Sequence, residues 1–156
     1  MKYQKATFGA GCFWHVEYAF SKAPGVISTT VGYMGGKTKS PTYKEVCTDK
    51  TGHAEVVQVI FDTRKIDYKK LIEVFWKIHD PTQLNKQGPD VGTQYRSVIF
   101  YHNEKQKTDA IKSKNKEQEK LTKLIVTEIK KAGRFYKAEE YHQKYLEKRG
   151  LEMCSV

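Results

Sequence analysis

Between residues 3 and 102 the apolar residues pass from strand-like alternation to helical spacing and back, in the order β-α-β-β-α-β. A strand over 3–9 (YQKATFG) ends at the turn Gly9-Ala10-Gly11, and a helix runs from Phe13 to Ser21, stopped near Pro24-Gly25. Val26 to Tyr33 is β-branched and reads as a second strand, Tyr43 to Cys47 as a helical turn, and Ala54 to Phe61 (AEVVQVIF) as a third strand. Asp67 opens a helix in which Leu71, Ile72, Phe75, Trp76 and Ile78 share a face until His79-Asp80-Pro81. Thr82 to Tyr95 has no period and predicts a long ordered loop, the kind of segment that usually carries function. Ser97 to His102 is the fourth strand.

Beyond it come a charged helix from Asn103, its N-cap, to about Glu119, a fifth strand over Leu124 to Ile129, and a final helix from Ala138 to Lys148. The first six elements match the split βαβ arrangement of ferredoxin-like folds. The expected fold class is therefore α/β (α+β): a ferredoxin-like sandwich with a mixed sheet and additional C-terminal α-β-α elements. With 156 residues and no linker or repeat, one domain over 1–156 is expected, with a mobile tail at 149–156. Leu, Ile, Val and Phe supply 34 residues, above the roughly 20% level below which disorder is the default.

The formal net charge of +10 raises the question of nucleic-acid or anionic-membrane binding. Lysine supplies most of it without a dense block, which reads as a solvated surface. No stretch approaches the ~18 apolar residues of a membrane span, and the N-terminus lacks the apolar core of a signal peptide. A cytoplasmic protein is expected. Three cysteines are too few and too odd in number for a secreted disulfide scaffold.

Gly9-Ala10-Gly11 between a strand and a helix invites a dinucleotide-binding reading. That fails, because Trp14 occupies the third glycine position and no Asp or Glu lies between Glu17 and Glu45 to hold a ribose. The turn instead sets Cys12 at the first turn of a helix, where free N–H groups and the macrodipole favour a thiolate. Locally, Cys12 is either a nucleophile or a buried structural cysteine. Cys12, Cys47 and Cys154 form no C-x-x-C, and the five His show no paired ligand spacing, so a metal site is not expected. Glu55 alternates onto the face of Val57, Val59 and Phe61, where desolvation would raise its pKa into the range of a general acid. An exposed strand-end carboxylate in a salt bridge is the other reading.

Taken together, Gly11-Cys12-Phe13-Trp14, Gly32-Tyr33-Met34-Gly35-Gly36, Tyr43, Thr51-Gly52-His53-Ala54-Glu55, Asp90-Val91-Gly92-Thr93-Gln94-Tyr95-Arg96-Ser97 and Ala138-Glu139-Glu140-Tyr141-His142-Gln143 closely resemble type A peptide methionine sulfoxide reductase over nearly the whole chain. The resemblance implies that Cys12 attacks the sulfoxide sulfur and is left as a sulfenic acid. It implies that Glu55 donates the proton, Tyr43 and Tyr95 hydrogen-bond the oxygen, Asp90 supports the polar network, and Phe13 with Trp14 enclose the methyl group. Cys154 is the implied resolving thiol and thioredoxin the implied reductant, with direct reduction of Cys12 by an external thiol as the alternative. No cofactor is implied, and a monomer is expected.

The family's usual Gly-rich extension after this cysteine is missing, which leaves a two-thiol route. Cys47 is expected to be buried and structural. Two departures, His15 where many relatives carry Gly and Met34 within the glycine motif, remove no proposed chemical group. Rival readings are a thiol peroxidase and a basic nucleic-acid-binding module, the latter without the aromatic and glycine signature of an RNA-recognition sheet.

Overall fold

The computed structural model describes residues 2–150. Its elements are β1 (Tyr3–Ala10), α1 (Phe13–Ser21), β2 (Val26–Met34), α2 (Tyr43–Val46), β3 (Ala54–Asp62), α3 (Tyr68–Lys77), β4 (Lys86–Gln87), β5 (Asp90–Val91), β6 (Ser97–Tyr101), α4 (Glu104–Gln118), β7 (Glu128–Lys131), β8 (Tyr136–Lys137) and α5 (Tyr145–Lys148), with 3₁₀ turns at Thr93–Tyr95 and Glu140–His142. The main sheet has the order β7-β6-β1-β3-β2-β8. Its four inner strands are antiparallel neighbours, β1 lying between β3 and β6 and β3 between β1 and β2. That is the ferredoxin-like order. A parallel β7 against β6 makes the sheet mixed.

Alternation along the central strands produces two apolar faces. Ala6 and Phe8 of β1 and Val57, Val59 and Phe61 of β3 join Phe13, Phe20, Leu71, Ile72 and Phe75 in the larger core, beneath α1 and α3. Phe8 is wholly buried and stacks on Phe20 with ring centroids 4.8 Å apart. The opposite face, with Met34, Ala54, Val56, Val98 and Phe100, is covered by Ala132 and Phe135. Helix starts follow local polar chemistry. Asp67 accepts from the Lys69 N–H at 3.0 Å, and Asn103 from the Gln106 N–H at 2.8 Å. Thr42 and Glu45 form a reciprocal capping box at α2.

The far C-terminal elements depart from expectation. The strand expected over 124–129 begins at Glu128. Before it, Ile125 N–H donates to the Gln118 side chain and Val126 N–H to the Pro81 carbonyl, so the apolar run spends its backbone groups off the ladder. The helix expected over 138–148 is broken into the 3₁₀ turn at Glu140–His142 and α5, with Lys144 at φ 53 between them. At the break the Gln143 amide leaves its own backbone and pairs with both the N–H and C=O of Val31, each at 2.9 Å. It acts as a one-residue extension of the sheet edge beyond β8. The loop over 82–95 contains the β4–β5 hairpin. Among the described residues no helix is long and apolar enough to cross a membrane.

Candidate active site

The turn after β1 sets the site. Gly11 sits at φ 99, a conformation that side chains rarely adopt, and a Cβ there would come within 3.0 Å of Gln87. The chain therefore turns sharply, and Cys12 becomes the residue that caps α1. Its own carbonyl accepts from the N–H groups of His15 and Val16. The next N–H, that of Phe13, donates across the sheet to Glu55 Oε1 at 3.2 Å. One hydrogen bond thus joins the start of α1 to the start of β3.

Glu55 is 1% exposed, and its second oxygen, Oε2, has no hydrogen-bond partner among the described residues. Burial, together with the nearby charge of Asp90, pushes its pKa up to about 8, against a smaller downward pull from the Phe13 N–H. The carboxyl is thus held largely protonated at neutral pH, on the face shared with Val57, Val59 and Phe61. A salt-bridged, exposed Glu55 is ruled out.

Cys12 is half-buried and its thiol is pushed up to about 12, by burial first and then by the charges of Glu55 and Asp90; the N–H groups of Trp14 and His15 only partly offset this. The N–H groups at the helix N-terminus pull the thiol towards its thiolate in the expected direction, but they do not prevail in this arrangement. Two carboxyl groups and desolvation outweigh a few backbone dipoles. Asp90, half-buried at the start of β5, lines with Cys12, Ala10 and His15 a cavity of about 390 Å³.

The phenols of Tyr43, on α2, and Tyr95, at the end of the 3₁₀ turn, are both half-buried. Burial and the Glu55 charge raise both above the ordinary range, so they are donors throughout physiological pH. Their loops are pinned at the base. Arg96 donates to the carbonyls of Thr93 and Gly52, at 2.9 and 3.0 Å, and so couples the Tyr95 turn to the residues preceding Glu55. Buried His53 accepts from the Gly36 N–H at 3.0 Å and lies 2.7 Å from the Thr38 carbonyl. A Cβ on Gly36 would stand 2.3 Å from His53 N, so that close approach requires glycine.

Phe13 is fully buried and belongs to the core, whereas Trp14 is half-exposed. The indole stacks on Tyr145 at 3.8 Å, and its N–H donates to His142 Nδ1 at 2.9 Å. Because an indole only donates, Nδ1 must be the unprotonated nitrogen. Burial lowers the His142 pKa, in keeping with a neutral ring. The ring also lies 4.3 Å from Tyr43 and 5.2 Å from Phe13. His142 is thus a hub that sequence reasoning left without a role, as are Glu139 and Tyr33. The available signals were the motif at 138–143 and, for Tyr33, the one at 32–36.

Cys47 is exposed, which corrects its expected burial, and its thiol lies within electrostatic reach of the Tyr43 phenol. Val46 beside it, the last residue of α2, is completely buried, whereas Cys47 at the C-cap turns away from the core. Cys154 lies outside the described residues.

A thiol that shares a desolvated site with a protonated carboxyl can take an oxygen from a polarised S–O or O–O bond while the carboxyl supplies the proton. The class defined by this pairing is the thiol-dependent oxidoreductases. A sequence model of the family described as peptide methionine sulfoxide reductase matches residues 4–156. The chain is 60% identical over 155 residues to the peptide methionine sulfoxide reductase MsrA of Methanothermobacter thermautotrophicus, covering 98% of this chain and 92% of that one. Among solved structures, Mxr1 from Saccharomyces cerevisiae in reduced form superposes with a TM-score of 0.91 at 41% identity, covering 96% of this chain and 87% of that one. Mxr1 in complex with Trx2 matches with a TM-score of 0.67 at 27% identity, over 92% of this chain and 85% of that one. The chain belongs to the peptide methionine sulfoxide reductase family, and its reaction is the reduction of methionine sulfoxide to methionine.

Proposed function

We propose that the whole chain acts as one catalytic unit that reduces the S epimer of methionine sulfoxide, free or in proteins, through a sulfenic acid on Cys12. The observation that carries this reading is the buried Glu55 carboxyl, within electrostatic reach of the Cys12 thiol, with one oxygen tied to the Phe13 N–H and the other without a partner among the described residues. In its neutral form Glu55 donates a hydrogen bond to the sulfoxide oxygen, which makes the sulfur electrophilic. It also removes the negative charge that most opposes ionisation of Cys12 after burial itself. Substrate binding and thiol activation are thereby linked.

Cys12 sulfur bonds to the sulfoxide sulfur as the oxygen takes the Glu55 proton, with Tyr43 and Tyr95 as further donors. The hydroxyl then passes to Cys12, and methionine leaves as the thioether. The methionine sulfur gains two electrons, the Cys12 sulfur loses two, and the thiol proton returns to Glu55. Trp14 provides the apolar wall for the methyl group, backed by Phe13, while Asp90 holds the polar side. A fixed wall and fixed donors cannot both be satisfied by the mirror arrangement at sulfur, which supports S selectivity.

Condensation of the sulfenic acid with the Cys154 thiol releases water and leaves a disulfide. A thioredoxin dithiol then reduces it, a step supported by the complex of the yeast neighbour with Trx2. Such a cycle suits a reducing, cytoplasmic setting. The test is single-turnover reduction of a methyl sulfoxide peptide by wild type and Cys12→Ser. Wild type is expected to consume the S epimer alone and the variant to be inactive while keeping its fold. Turnover by Cys12→Ser, or peroxide as the only oxidant consumed by wild type, would overturn the assignment.

A further inference from the structure

We propose that Glu139 is a positioning residue for the reduction, setting the Tyr43 hydroxyl at the sulfoxide oxygen by holding the Tyr43 backbone and the Tyr33 phenol with the two oxygens of one carboxylate. This rests on the role given above to Tyr43 and extends it to a residue that does not touch the substrate. Glu139 Oε2 accepts from the Tyr43 N–H at 2.8 Å, and Oε1 accepts from the Tyr33 hydroxyl at 2.9 Å. A single side chain thereby ties β2 and the first residue of α2 to the turn that leads into the C-terminal segment.

The tie matters because α2 has four residues, too few to fix its own axis. The Tyr43 N–H is one of the orphan donors of a helix start, and Glu139 supplies its acceptor from outside the helix. Burial pushes the Glu139 carboxyl upward, but the N–H groups of Tyr43 and of Glu139 itself and the Tyr33 hydroxyl hold its pKa below the ordinary value. Both bonds are therefore made to an ionised acceptor, the stronger kind. Ring contacts add to this tie without replacing it: His142 lies 4.3 Å and Phe13 6.3 Å from the Tyr43 ring, and neither contact supplies the acceptor that Glu139 gives the Tyr43 N–H.

A brace that merely stabilised the fold would cost the same whether or not Tyr43 carries a hydroxyl, so a double-mutant cycle separates the two roles. The readout is the rate of methionine release in a single turnover, with thermal unfolding followed in parallel. Tyr43→Phe is expected to slow release, and Glu139→Ala to slow it by roughly 10- to 100-fold, the scale of a donor misplaced by about 1 Å. In the Tyr43→Phe background the alanine substitution should cost less than about 3-fold, because the misplaced group is already gone.

Glu139→Gln should recover most of the rate, since its amide oxygen can serve the Tyr43 N–H while its NH₂ donates to a rotated Tyr33 hydroxyl. If Glu139→Ala fails to fold, Glu139→Asp takes its place in the cycle, its shorter carboxylate being unable to span both donors. A wild-type rate in the position-139 variant, or an equal loss in both backgrounds, would overturn the positioning role while leaving that of Tyr43 intact. A wild-type rate in Tyr43→Phe alone would remove both.

Discussion

At the scale of single residues, the site depends on what burial does to two titratable groups. Glu55 has its pKa raised to about 8, so the protonated form needed for donation is present at neutral pH and is lost as pH rises through that value. The single-turnover rate is expected to hold on the acid side and fall above about pH 8, and Glu55→Gln to be slower by roughly 10²–10⁴-fold without that alkaline fall. Stopped-flow methionine release across pH 6 to 10 checks both. An unchanged profile in the variant would place the proton on another group.

The same shift affects stability with a definite sign. A carboxyl that ionises near 4.5 unfolded and near 8 folded binds more protons in the native state between those values. Its contribution therefore declines as pH rises from about 4.5 to 8, and Glu55→Gln should gain stability relative to wild type most clearly above pH 8. The burial of Glu55 was one of two readings that the alternation of AEVVQVIF left open, and the packing of its face decides between them. The fate of Cys12 was not, because the carboxylates that raise its pKa come from β3 and β5, far away in the chain. Cys47 was misread for a related reason: on a four-residue helix, the burial of Val46 says nothing about the face of the next residue.

Among elements, the legible ones carry their own period and caps: β1, α1, β3, α3 and α4 begin and end within a residue or two of where the sequence places them. Those missed are completed by other parts of the chain. β8 has two residues and no period to read, and the final helix yields because Gln143 gains more by closing the edge of β2 than by continuing its own spiral. The turn between β1 and α1 was legible as a turn, and its conformation gives a prediction. Gly11→Ala forces a side chain into φ 99 and against Gln87 at 3.0 Å. The expected cost is about 1–3 kcal/mol in urea unfolding, together with slower reduction as Cys12 is displaced from Glu55. A variant with wild-type stability and rate would show that the turn does not set the thiol's position.

For the molecule as a whole, the order of the inner strands follows from β-α-β-β-α-β, whereas its two edges, β7 and β8, could be placed only in three dimensions. One edge leads to the last prediction. Beyond β8 the chain returns over the site, where Tyr145 stacks on Trp14, two residues from Cys12. Cys154 follows nine residues later, and nine residues reach at most about 30 Å, enough to bring a thiol from that stack to the sulfenic acid. Cys154→Ser should still release about one methionine per enzyme in a single turnover, because the oxygen is transferred before Cys154 is needed. Turnover with thioredoxin should then stall and partly recover with a small dithiol, since thioredoxin attacks a disulfide far better than an enclosed sulfenic acid. Mass spectrometry of wild type after substrate, without reductant, should find Cys12 joined to Cys154 and Cys47 free. A bond between Cys12 and Cys47 would instead give the resolving step to the exposed thiol beside Tyr43, and full thioredoxin-driven turnover in Cys154→Ser would show that Cys154 is dispensable.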